Sequence, residues 1–207
     1  MKYRARLKSQ IREAWQECIC IGYCSQRINS ERSLQASFWS HLNDKLSPNR
    51  RTFIEPRIPI ELGNSQKICI PDIVICNSRK IIGVIELKYL PRAKPRYEKD
   101  INNLADIAKH RAEITISNER FWGPAVDSRA YTFAENVLFV WASVHAGSKD
   151  TCDEDVQAFA ASRKELHGCF LELHVKTDKN WIPTIYWRLL SDKSYSPLHK
   201  MLCPKSH

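Results

Sequence analysis

The stretch Ile70-Pro71-Asp72-Ile73-Val74-Ile75-Cys76, followed after a short turn by Ile81-Ile82-Gly83-Val84-Ile85-Glu86-Leu87-Lys88, decides the fold. Both halves are rich in β-branched residues, and Asn77-Ser78-Arg79-Lys80 between them has turn composition, so the pair predicts a β-hairpin. Two acids and a lysine lie inside it. Charged groups on buried strands are costly unless each finds a partner. Side chains alternate along a strand, so Glu86 and Lys88 share one face while Leu87 points to the other. A loop of residues 78–80 places Asp72 directly opposite Glu86, with Cβ atoms ~4.5–5.5 Å apart. A two-residue loop would instead set Asp72 against Ile85 and turn it to the wrong face. Two carboxylates that close repel unless a cation lies between them. An oxygen-only pair with open water positions suits Mg2+ or Mn2+ better than zinc. The rival reading is a Glu86–Lys88 ion pair on a solvated strand; residues 81–85 show no polar alternation and speak against it.

Pro71-Asp72, with Glu86-Leu87-Lys88 on the adjoining strand, resembles the PD-(D/E)xK nuclease superfamily over about residues 30–145. The resemblance implies a restriction-endonuclease-like α/β fold: a mixed central β-sheet flanked by helices, in one domain. It implies metal-dependent hydrolysis of phosphodiester bonds, with DNA the first substrate and RNA left open. Asp72 and Glu86 would hold Mg2+, with Mn2+ as a substitute, helped by the backbone carbonyl of Leu87. Lys88 would orient or help deprotonate the attacking water and offset charge in the transition state. Glu31 matches the acid that many members carry on the helix before the core; Glu55 and Glu61 are rival upstream acids. The helix after the motif matches the one that faces substrate, which makes Tyr97 and Lys99 candidate contacts to the phosphate backbone. A solvated helix face is the plainer reading of those two. Intact Asp72, Glu86 and Lys88 weigh against a second function class, a catalytically silent nucleic-acid-binding or assembly module of the same fold.

Working outward, residues 3–24 predict a basic, partly amphipathic helix, and residues 1–28 read as an N-terminal extension to a domain of residues 29–207. Ser30 predicts an N-cap for a helix to about Leu46, with Leu34, Phe38, Leu42 and Leu46 at intervals of four. Residues 51–61 contain two prolines and predict an irregular edge strand. A helix is expected over residues 97–117, a loop over 118–134, a mid-sheet strand over 137–145 and a helix over 153–167 ended by Gly168. Residues 169–176 and 181–190 predict a closing hairpin. His145 and His110 read as structural. Phe121-Trp122-Gly123-Pro124 sits in the expected loop, where it could stack on bases or simply pack.

Composition sets the outer limits. The chain has 207 residues, 43% hydrophobic and 27% charged, enough apolar content to build a core. Lys plus Arg is 32 against 23 Asp plus Glu, a net +9 that favours polyanion partners through counterion release. No apolar run approaches the roughly 20 residues of a membrane helix, and no secretory signal follows the basic start, so a cytoplasmic protein without a membrane partner is expected. Cys18, Cys20 and Cys24 lack paired C-x2-C knuckles; the eight cysteines read as buried thiols rather than a zinc module. No Gly-rich phosphate loop and no G-x-S-x-G elbow occurs. A homodimer would suit double-strand cutting.

Overall fold

The chain opens on α1 (Lys2–Glu17), which runs into a π-helical turn at Cys18–Tyr23. The structure, a computed structural model, describes residues 2–117, 119–146, 152–177, 183–190 and 199–201. Helix α2 (Glu31–Lys45) starts as the sequence predicts. Ser30 caps it, its hydroxyl accepting from the Ser33 N–H while Ser33 Oγ accepts from the Ser30 N–H. Leu34, Phe38 and Leu42 form its buried stripe, as Leu7, Ile11, Ala14 and Trp15 do for α1.

The proline-bearing stretch after α2 divides into β1 (Arg50–Ile54) and β2 (Ile58–Leu62), separated at Glu55, whose φ is +49°. The chain leading into the hairpin also divides, into β3 (Ser65–Cys69) and β4 (Ile73–Asn77). Pro71 has no N–H for a ladder and restricts the residue before it, so the pairing stops there. β2 and β3 form a separate two-stranded ribbon. β4 then pairs antiparallel with β5 (Lys80–Leu90), which is the expected hairpin.

Helix α3 (Glu98–His110) is shorter than the expected helix, whose tail is instead strand β6 (Thr115–Ser117). The expected loop holds a small hairpin, β7 (Arg120–Trp122) and β8 (Ala125–Asp127), and the start of β9 (Ala130–Ala146). α4 (Cys152–Ala161) and a 3-10 turn at Lys164–Leu166 lead to Gly168, at φ +69°, and on to β10 (Phe170–Thr177). β11 (Thr184–Leu190) closes the expected hairpin and β12 (His199–Met201) adds an edge; Trp181 lies outside the described residues.

Eight strands form one mixed sheet, in the order β1-β4-β5-β9-β10-β11-β12, with β6 also on β9. β5, β9 and β10 run parallel at its centre, and the other neighbours are antiparallel. Helices flank both faces of this single domain. On one face α1 and α2 cover Ile73, Ile75, Ile85, Leu87 and Val140, so the N-terminal helix shares a core with the strands. On the other, α3, α4 and the β2–β3 ribbon cover Val74, Val84, Phe139 and Trp141. Cys18, Cys69 and Cys76 are buried free thiols, as expected of small apolar side chains, and burial lifts the Cys18 thiol to about 11. Cys20 and Cys24 depart from that reading: Cys20 is disulfide-bonded and Cys24 is an exposed free thiol. Among the described residues no helix is long and apolar enough to cross a membrane.

Candidate active site

Residues 72, 74, 84, 86 and 88 belong to the sheet face that carries α3, because Val74 and Val84 pack there and alternation carries the even positions with them. The last ladder pair is Ile73 with Ile85, which sets Asp72 against Glu86 one step further on. The turn that achieves this is not the one the sequence predicts. It is the two-residue Ser78-Arg79, with Ser78 at φ +54°, and Asn77 pairs with Lys80. Ile82 is then extruded as a β-bulge, so that Gly83 pairs with Ile75. The extra residue restores the register that the short turn would have lost.

Asp72 is held from two sides. Its Oδ2 accepts the Leu87 N–H at 2.7 Å and its Oδ1 accepts Gln35 Nε2 at 3.1 Å. In an extended strand the N–H and C=O of one residue leave on the same edge, so the Leu87 carbonyl is turned toward Asp72 as well. Glu86 is 6% exposed, and its Oε1 is buried with no hydrogen-bond partner. Burial, with Asp72 and Asp100 nearby, raises the Glu86 carboxyl well above the usual range. Burial raises Asp72 to about 6, although the Leu87 N–H pulls the other way. Both acids therefore sit where an extra positive charge would stabilise them.

Lys88 pulls both carboxyls down with its charge but does not offset their burial. Its Nζ lies 3.4 Å from Glu31 Oε2 and 3.4 Å from Asp100 Oδ2. Burial lowers its pKa, but Asp100 and Glu31 together outweigh burial and the net shift is upward. Glu31 Oε2 also accepts the Tyr89 N–H at 3.2 Å. The first turn of α2 thus brings Glu31 to Lys88, and near enough to Asp72 for its charge to raise that carboxyl as well. Glu55 reaches Asp72 through its own N–H, which donates to the Asp72 carbonyl at 3.0 Å, and through a shared Gln35. Glu61 is exposed and bound by Gln66 at 2.6 Å. Tyr97 is half-buried, edge-to-face with Phe159 at 5.5 Å, and Lys99 is exposed on the first turn of α3.

Two further residues belong to the site, Gln35 and Asp100. Each carried a signal. Gln35 lies four residues after Glu31 and three before Phe38, and Asp100 four before Leu104, so both are polar groups set on buried helical stripes. Beyond Glu86 and Lys88 the same sheet face stays polar. Trp141 and Glu172 continue the Glu86 row, Ser143 and His174 the Lys88 row. Glu172 binds Arg188 Nε and His174 Nε2, each at 2.5 Å, and His174 Nδ1 meets His145 Nε2 at 3.0 Å. All four are buried, which gives His145 the structural place expected of it. His110 pairs with Glu113 at 3.6 Å.

A divalent cation fits this arrangement on chemical grounds. Asp72 offers hard oxygen, Glu86 offers an oxygen with no other partner, and the Leu87 carbonyl faces the same edge. Among the described residues no group of three or more His, Cys, Asp or Glu is gathered that could hold a metal ion. No protein-family model and no curated protein matches the chain.

Proposed function

We propose that this chain is a metal-dependent nuclease with a restriction-endonuclease-like fold, hydrolysing phosphodiester bonds in DNA in the cytoplasm. The observation that carries the reading is Glu86 Oε1, a buried carboxylate oxygen without a partner, opposite Asp72 and two residues from an ordered lysine. Asp72, Glu86 and the Leu87 carbonyl would hold Mg2+, or Mn2+ in its place. When bound, the ion neutralises the carboxylates, polarises the scissile phosphate and lowers the pKa of water. Asp72 and Glu86 fix the place of that charge. Lys88 directs its ammonium to the attacking water and to the negative charge that builds on the phosphate oxygens. Arg92, Lys94 and Arg96, exposed on the segment between Lys88 and α3, and Lys99, exposed on the first turn of α3, would track the phosphate backbone, with Tyr97 at its edge. Cutting of both strands would call for a homodimer.

A second reading, a nucleic-acid-binding module without turnover, draws on Lys88 being already paired with Glu31 and Asp100. One experiment separates the two. Labelled linear, circular, branched and single-stranded DNA, and RNA, are incubated with the protein in Mg2+ and in EDTA. Cleavage in Mg2+ alone is the expected result. Binding without cleavage on every substrate would leave the second reading, and RNA cleavage alone would move the substrate class.

A further inference from the structure

Four carboxylates, Glu31, Asp72, Glu86 and Asp100, surround one ammonium, Lys88. An ammonium on a flexible four-carbon stem goes to whichever anions hold it best. Lys88 shares a sheet face with Glu86, yet it pairs with Glu31 and Asp100. Those two anions are not equivalent. The Glu31 side chain is 45% exposed and its Oε2 is shared with the Tyr89 N–H. The Asp100 side chain is 10% exposed, fixed on the first turn of α3, so solvent screens it far less. We infer that Asp100 is the positioning residue of this site: it holds Lys88 off the Asp72–Glu86 pair, which keeps that pair open to a cation and the ammonium free to face the phosphate. This rests on the nuclease reading and adds a fourth side chain to it.

Without Asp100, Lys88 would swing to Glu86 and neutralise it, and so compete with the metal for the same oxygen. The test therefore has a readout besides cleavage. Mg2+ binding is measured by calorimetry on the full chain for wild type, Asp100→Asn, Asp100→Glu, Lys88→Ala and the double variant Lys88→Ala/Asp100→Asn, with a thermal melt of each. Asp100→Asn should weaken Mg2+ binding about tenfold, and removing Lys88 in the double variant should restore it. In cleavage, Asp100→Asn should lower kcat about tenfold or more with little change in KM for DNA. The double variant should be no slower than Lys88→Ala alone, and Asp100→Glu should recover part of the loss. Glu31→Gln, which removes the exposed partner, should have the smaller effect on both measurements. Unchanged Mg2+ affinity in Asp100→Asn, or rate losses that simply add, would overturn the inference while leaving the nuclease reading in place. If Asp100→Asn does not fold, Asp100→Ser decides in its place, and wild-type affinity and rate there overturn the inference. A wild-type protein that binds no Mg2+ overturns both.

Discussion

Asp72 stands opposite Glu86 because Ile82 is bulged out of β5, one residue of slack that offsets a turn one residue too short. Deleting Ile82 should therefore leave a bulge-free hairpin in which Gly83 still pairs with Ile75 and Asp72 still stands opposite Glu86. The variant is expected to keep Mg2+ binding, with far-UV circular dichroism near native. Loss of calorimetric Mg2+ binding in a folded variant would show that the bulge does more than restore the register.

Asp72→Asn should stabilise the metal-free protein at neutral pH. Burial raises this carboxyl from 3.8 to about 6, so the native state holds its proton more tightly than the unfolded chain. Its contribution is fully present below about pH 4 and is lost as pH rises through about 6, a change of order 3 kcal/mol at most. Asparagine is preferable to alanine, because its Oδ1 can still accept the Leu87 N–H. Urea denaturation in EDTA should show a gain at pH 7.5 that disappears at pH 4. The stabilisation that Mg2+ gives the wild type should be absent in the variant.

Lys88→Ala should fold, bind Mg2+ at least as well as wild type, bind DNA and fail to cut. Its Nζ contacts Glu31 and Asp100 rather than the metal pair, so removal takes nothing from the cation's oxygens. The rate should fall by orders of magnitude, and Lys88→Arg should not rescue it, since a planar guanidinium cannot place a compact charge at the same point. A variant that unfolds without a separable kinetic defect would favour a structural lysine.

Glu172→Gln should cost about 3–5 kcal/mol, because it replaces the buried carboxylate that Arg188 and His174 share with a neutral amide. Despite burial, His174 and Arg188 hold the Glu172 carboxyl down at about 2, below its ordinary 4.5. A depressed carboxyl contributes above its unfolded pKa and loses that contribution as pH falls through the folded one. Acid denaturation of the wild type should therefore include a component between about pH 4.5 and 2 that the variant lacks. Superimposable acid transitions would refute it.

DNA binding in EDTA should weaken steeply with salt. Replacing Lys94, Arg96 and Lys99 together by Ala should reduce the slope of log K against log salt by about 3, near 1 for each lost phosphate contact. An unchanged slope would place the nucleic-acid path elsewhere on the surface.

Local pattern carried much of the molecule. The apolar strands around Asp72 and Glu86, the Ser30 cap and the 3.6-residue stripes of α1, α2 and α3 are written in neighbours a few positions apart, and each was legible because burial is periodic. By the same logic the sequence determined that Glu86 and Lys88 share a face. It could not determine the bulge at Ile82, because a two-residue turn plus an extra residue and a three-residue turn place the same side chains together. Nor could it find β6 to β8, whose three-residue strands are too short to show a period. Only the tertiary structure decided which acids meet which cation. Glu31, Asp72, Glu86 and Asp100 lie on α2, before β4, on β5 and on α3, and their separations are fixed by how those elements pack on the sheet rather than by spacing along the chain. That packing gave Lys88 to Glu31 and Asp100, and left Glu86 with an oxygen to spare.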